Sequence, residues 1–253
     1  YTLQALMKLG VTAERSDDYI DLKGVGGDFQ PAAEPIDLGN SGTSMRLLTG
    51  VAALGQGTYL LTGTDRMKQR PIQHLLDSLR QVGVDAIAIK DDGCPPIRIR
   101  GGKISGGSAA IDCSISSQFL SSLLLMAPLT SNGLSMQVIK GPVSKPYIDM
   151  TVDVLEQFGV KLKRQGYTGF DVYGGQIYQA GEYTVEPDAS QASYFWAAAA
   201  VTGAKIKVKN ITSKSLQGDV RFVRVLEQMG CLIEETGDGI SVSGGPLAGV
   251  DVD

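Results

Sequence analysis

Four stretches of the chain share one pattern of apolar and polar positions. LQALMKLGVTAE (3–14), LLDSLRQVGVDAI (75–87), VDVLEQFGVKLK (152–163) and VRVLEQMGCLIEE (223–235) each predict an amphipathic helix, then a glycine, then a short alternating strand. The glycines, Gly10, Gly83, Gly159 and Gly230, lie 73, 76 and 71 residues apart. Glycine just past a helix end is expected there, because it adopts the left-handed conformation without Cβ strain. A second pattern keeps the same rhythm in residues 39–63, 114–141 and 187–210. Each opens with small polar residues, continues as a helix apolar almost all round, turns at Gly57, Gly133 or Gly203, and ends in a strand. A helix apolar on every face is a buried one, and the amphipathic helices should lie outside it.

The repeating unit is therefore a buried helix, a strand, a polar loop, an outer helix and two strands, a small βαβαββ subdomain of α/β class. The chain holds roughly three and a third such units. Tyr1 falls inside an outer helix and ISVSGGPLAGVDVD ends just after a hairpin, so the sequence reads as a piece of a longer protein. Residues 1–185 are expected to form most of one lobe, a partial unit followed by two full ones. Residues 186–253 are expected to form the first, truncated unit of a second lobe.

Composition narrows the function classes. A net charge of −4 with interspersed signs gives no basic face for nucleic acid and no polybasic membrane patch. Cys94, Cys113 and Cys231 are odd in number and far apart, which suits a reducing, cytoplasmic setting and neither a disulfide framework nor a metal motif. No apolar run is long enough to span a bilayer.

Candidate chemistry gathers at the starts of the buried helices. DLGNSGTSMRLLTG (37–50) runs small polar residues into an apolar series, with Arg46 near the junction. It fails the phosphate-loop template, because counting from Gly39 Ser44 and Met45 stand where Gly and Lys are required. Free N–H groups and the helix dipole still favour an anion there, and an ordinary N-cap with glycines for close packing explains the residues equally well. IDCSISSQFLSS (111–122) is the matching start in the next unit, with Ser114, Ser116, Ser117 and Gln118 as donors and acceptors. EPDASQAS (186–193) differs, since Glu186 and Asp188 are negative and Asp188 suits an N-cap. Trp196 and Phe195 are expected in the core, and His74 on a helix face. The loops before the outer helices carry Arg66, Lys68 and Arg70 before Pro71, Lys140 and Lys145 before Pro146, and Lys214. The helix dipole does not explain cations at that end; an anionic partner does, as does plain solvated charge.

The series LGNSGTSMR, RMKQRPIQHL, SISSQFLSSLL, VSKPYID and DASQASYF followed by QGDVRF resembles the 5-enolpyruvylshikimate-3-phosphate synthases over nearly the whole chain. The resemblance implies two lobes of three βαβαββ units each, and transfer of the enolpyruvyl group of phosphoenolpyruvate to the 5-hydroxyl of shikimate 3-phosphate with release of phosphate. It implies no metal or organic cofactor and a monomer when full length. Residue by residue, Gly42 resembles the glycine that meets phosphoenolpyruvate, with Asn40 and Thr43 shaping its loop, and Arg70 the arginine that grips that anion. Ser116, Ser117 and Ser144 resemble contacts to the shikimate phosphate, Gln118 a residue shared by both substrates, and Tyr147 the tyrosine against the shikimate ring. The family's N-terminal Lys-Ser pair and following Arg, its catalytic Asp and Glu, and its later Lys/Arg cluster have no counterpart in these 253 residues. Asp251 and Asp253 lie short of the catalytic Asp, so this span alone is expected to lack turnover. Leu47 stands where many members have proline, which bears on sensitivity to glyphosate-type inhibitors. A nucleotide-sugar enolpyruvyl transferase of the same fold and a non-catalytic repeat scaffold are the rival readings.

Overall fold

The computed structural model describes residues 1–252. In chain order the elements are α1 (Thr2–Lys8), β1 (Thr12–Arg15), β2 (Ile20–Lys23), β3 (Ile36–Asp37), α2 (Gly42–Leu54), β4 (Gly57–Thr62), α3 (Gln73–Gln81), β5 (Asp85–Ala88) and β6 (Ile97–Gly101). They continue with β7 (Gly107–Asp112), α4 (Gln118–Met126), β8 (Leu134–Lys140), α5 (Lys145–Gln157), β9 (Leu162–Gln165) and β10 (Gly169–Val172). The last are α6 (Ala189–Thr202), β11 (Lys205–Lys209), α7 (Phe222–Gln228), β12 (Leu232–Thr236) and β13 (Gly239–Ser243). The chain divides into two compact units, Tyr1–Ala180 and Gly181 onward.

The first unit contains the βαβαββ pattern twice, as β3-α2-β4-α3-β5-β6 and β7-α4-β8-α5-β9-β10. The two sheets have the same order, β3-β4-β6-β5 and β7-β8-β10-β9, each with a parallel first pair and two antiparallel pairs. The glycine punctuation follows the pattern of the sequence. Gly10, Gly83 and Gly159 follow the outer helices with φ of 102°, 87° and 78°, a region that any other residue enters only with strain.

α2 and α4 lie in the core, burying Met45, Leu48, Ala52, Phe119, Leu120, Leu123 and Leu124. Each large apolar side chain so buried is worth roughly 1.5–3 kcal/mol. The outer helices bury only one stripe: Leu75, Leu76 and Leu79 on α3, and Ile148, Val152 and Leu155 on α5. The two buried helices run in the same direction. Thr43 and Arg46 meet Gln118, and one turn or so further along Gly50 meets Ser122, so partner numbers rise together. The crossing is close because Gly50 has no side chain: a Cβ there would fall 2.7 Å from Ser122 Oγ and 2.8 Å from its carbonyl oxygen. Ser122 Oγ is itself the buried side-chain polar atom left without a hydrogen-bond partner among the described residues.

The second unit has a three-stranded sheet, order β11-β13-β12, with α6 and α7 packed on it. Trp196 is fully buried, as expected, with its indole N–H donating to the Ile240 carbonyl at 3.4 Å. Phe195 corrects the sequence reading: it is 58% exposed, next to Tyr194 at 71%. Helix geometry turns neighbouring residues about 100° apart, so only one face of α6 rests on its own sheet. Pro71 lies outside α3, which starts at Gln73, whereas Pro146 sits in the first turn of α5.

Gly50→Ala should lower stability by about 1–3 kcal/mol, the usual penalty of overpacking, even though alanine is the better helix former. Denaturant unfolding followed by circular dichroism reads this out; unchanged or greater stability would show that the crossing can relax.

Candidate active site

The start of α2 is built by its neighbours. The Asp37 carboxylate accepts from the Gly39 N–H at 2.8 Å, and Ser41 caps the helix by accepting from the Ser44 N–H at 3.4 Å. Ser41, Ser44 and Thr2 form a chain of hydroxyl contacts at 2.7 and 2.6 Å. The N–H groups of Gly42 and Thr43 have no partner among the described residues. Backbone bonds from the Leu38 N–H to Thr62 and from the Thr64 N–H to Gly39 stitch this loop to the segment that leads to Arg70. Gly63 permits that closeness, since its Cβ would strike the Gly39 carbonyl.

Arg70 lies across the helix start. Its Nη1 donates to the Asn40 carbonyl at 3.3 Å, and a Cβ on Gly42 would sit only 2.6 Å from Nη2. Three other loop cations are engaged elsewhere: Lys68 pairs with Asp65 at 3.2 Å, Lys140 with Asp112 at 3.6 Å, and Lys145 lies over the Tyr167 ring at 5.2 Å. For Lys68 and Lys140 ordinary surface pairing accounts for the charge, and for Lys145 a cation–ring contact does.

The start of α4 adjoins that of α2. Gln118 donates through Nε2 to Thr43 Oγ1 at 2.9 Å and accepts at Oε1 from Arg46 Nη1 at 2.7 Å. Ser116 and Ser117 are buried beside it, and Ser116 Oγ accepts from the Gln118 N–H at 3.3 Å. Asp112 accepts from the Ser114 hydroxyl and N–H, which hold its carboxyl below the usual carboxylate range. His74 is a helix-face residue, its ring edge-on to Phe119 at 6.2 Å. Burial pushes the Cys113 thiol up to about 12, so it stays a protonated packing group and no nucleophile.

The α5 start closes the other side. The Val143 N–H donates to the Cys113 carbonyl at 3.2 Å, which brings Ser144 to the serine loop. Ser144 is held in the left-handed region (φ 51°, ψ 50°), and Tyr147 follows one turn on, 40% exposed. A bond between Ser121 and Thr151 hydroxyls at 2.7 Å ties α4 to α5. Eight of the nine expected site residues thus lie at the starts of α2, α4 and α5, and Arg70, from the loop before α3, lies across the first of them. Arg46, noted near this junction in the sequence, belongs with them: its position four residues past Gly42 puts it on the same helix face. Leu47 sits within α2, where its N–H serves the helix ladder that proline would interrupt. Asp188 fills the corresponding place on α6 and satisfies it internally, accepting from Ser190 and Gln191. Asp251 lies in irregular backbone, and Asp253 lies outside the described residues.

The geometry defines an α/β repeat protein whose buried helices bring their starts together at one end of the first unit. The model of the EPSP synthase (3-phosphoshikimate 1-carboxyvinyltransferase) family matches residues 1–253, and the chain belongs to this family. It is similar to the 3-phosphoshikimate 1-carboxyvinyltransferases of Sulfurovum sp. (46% identical) and Pseudoalteromonas translucida (48%), over the whole of this chain and 60% of each relative. The chain therefore spans about 60% of the length of the curated relatives it matches. Among solved structures, EPSP synthase from Acinetobacter baumannii superposes with a TM-score of 0.78 at 26% identity, over 99% of this chain and 57% of that one. The enolpyruvyl transferase NikO from Streptomyces tendae, 16% identical with a TM-score of 0.67, shares the fold.

Ser144→Gly should leave stability unchanged or slightly higher. It removes roughly 1–2 kcal/mol of left-handed strain against up to about 1 kcal/mol of extra chain entropy lost on folding. Thermal unfolding checks this, and a marked loss of stability would mean that the hydroxyl holds the loop.

Proposed function

We propose that this chain supplies a substrate-binding wall of an enzyme that moves the enolpyruvyl group of phosphoenolpyruvate to the 5-hydroxyl of shikimate 3-phosphate, releasing phosphate. The observation that carries the reading is Arg70 lying across Gly42 at the open N-terminus of α2, with the Gln118 amide alongside. Phosphoenolpyruvate carries a phosphate and a carboxylate. Free N–H groups, the helix dipole and a guanidinium suit such an anion. Ser116, Ser117 and Ser144 are proposed to take the phosphate of the second substrate, and Tyr147 to lie against its ring. Placing two dense anions in one cleft requires donors fixed in advance, so that little reorganisation accompanies the reaction.

In this reading residues 1–185 are most of one lobe and residues 186–253 begin the second. The proton-transfer carboxylates are not among the residues gathered here. The role of this wall is to bind and orient both substrates and to offset charge as the phosphate leaves. A cytoplasmic monomer needing no cofactor fits the same reading; no helix of the described residues is long and apolar enough to cross a membrane.

Calorimetric titration tests the assignment. Shikimate 3-phosphate should bind the chain with measurable heat, and Arg70→Ala should change that affinity less than about twofold while weakening phosphoenolpyruvate about 10- to 100-fold, the equivalent of one charge-assisted hydrogen bond. No heat with shikimate 3-phosphate would favour a non-catalytic scaffold. Equal loss for both ligands would refute the role given to Arg70.

A further inference from the structure

Arg46 has surroundings unusual for a half-buried cation. Among the described residues no carboxylate pairs with it. Its guanidinium stacks over the Phe119 ring at 5.3 Å and donates to the neutral amide of Gln118. Burial and then the Arg70 cation pull its pKa down from the ordinary value, so the fold places it where charge is disfavoured. Structural ion pairing therefore does not account for it.

Its chemistry does fix one thing. Arginine has donors only, so the Gln118 face turned to Arg46 must be Oε1. Flipping the amide would set N–H against N–H and leave Thr43 facing an oxygen. With Oε1 committed, Nε2 has two N–H groups. One goes to Thr43 Oγ1, and the other is left to donate. We propose that Arg46 is a positioning residue that locks the Gln118 amide with its N–H side toward the substrate anions, tying the start of α2 to that of α4. The proposal rests on the functional reading above for the identity of those anions, and on geometry alone for the lock.

The test uses the 253-residue chain labelled with nitrogen-15. The Gln118 side-chain amide protons should be well separated and slow to exchange. In Arg46→Met they should move to the positions of a solvent-exposed glutamine, and Arg46→Lys should restore part of the separation, because Nζ also donates to Oε1. A merely space-filling Arg46 predicts Met and Lys alike, and unchanged Gln118 signals in Arg46→Met would overturn the proposal. Should Arg46→Met fail to fold, Gln118→Glu decides the matter. Facing the guanidinium, its carboxyl should titrate below the ordinary value of about 4.3, and an ordinary value would overturn the lock.

Titration with shikimate 3-phosphate then separates the lock from the substrate assignment. Arg46→Met and Gln118→Ala should each weaken binding about tenfold, and the double variant should be no weaker than Gln118→Ala alone. Additive losses would overturn the positioning role. If the unaltered chain does not bind the ligand, the functional reading fails, and the amide signals still decide whether Arg46 holds Gln118.

Discussion

Two buried helices running side by side in the same direction place their positive ends together. Each N-terminus carries roughly half a unit charge, and the ends of α2 and α4 are close enough for Thr43 and Gln118 to share a hydrogen bond. Two guanidinium groups, Arg46 and Arg70, add to the same region without carboxylate partners among the described residues. The hydrophobic burial that drives α2 against α4 also holds this convergence of like charge in place. An anion relieves it. The chemistry of the site is thus set by core packing: Gly50 lets the helices approach, and their approach sets the spacing of the donors.

The same parallel arrangement explains why the repeat matters to function. A βαβαββ unit ends each first parallel pair of strands on a helix start, and two tandem units bring two such starts to one end of the first unit. The loops after β4 and β8 then reach that end as well. One delivers Arg70 and the other Ser144. In α6 the equivalent start is closed: Asp188 accepts from the Ser190 and Gln191 N–H groups, and Gln217 Oε1 accepts from the Ala189 N–H at 2.8 Å. A helix start is a place for an anion only where the cap leaves donors unused.

Much of this was legible in the sequence. The alternation of fully apolar and amphipathic helices, punctuated by glycines with positive φ, specified the repeat and its burial order. The small polar run before Met45 and the serines before Phe119 marked the helix starts. Phe195 was not legible: its apolar helix looks buried all round, and only the sheet beneath it decides which face is covered. The partner of Arg46 was not legible either, because Gln118 lies 72 residues away and the contact exists only once the two helices cross. Periodicity tells what faces a core; it does not tell which long side chains meet across one. The identity of the expected anions came from neither periodicity nor geometry but from the resemblance of the motif series to the EPSP synthases.

The convergence of positive charge is tested most directly by melting the chain in rising inorganic phosphate, with chloride adjusted to constant ionic strength. A ligand held only by the folded form raises stability with its concentration. Phosphate should raise the melting temperature of the unaltered chain, and the rise should largely vanish in Arg70→Ala. No rise at all, or an equal rise in both, would contradict the view that these helix starts are built for an anion.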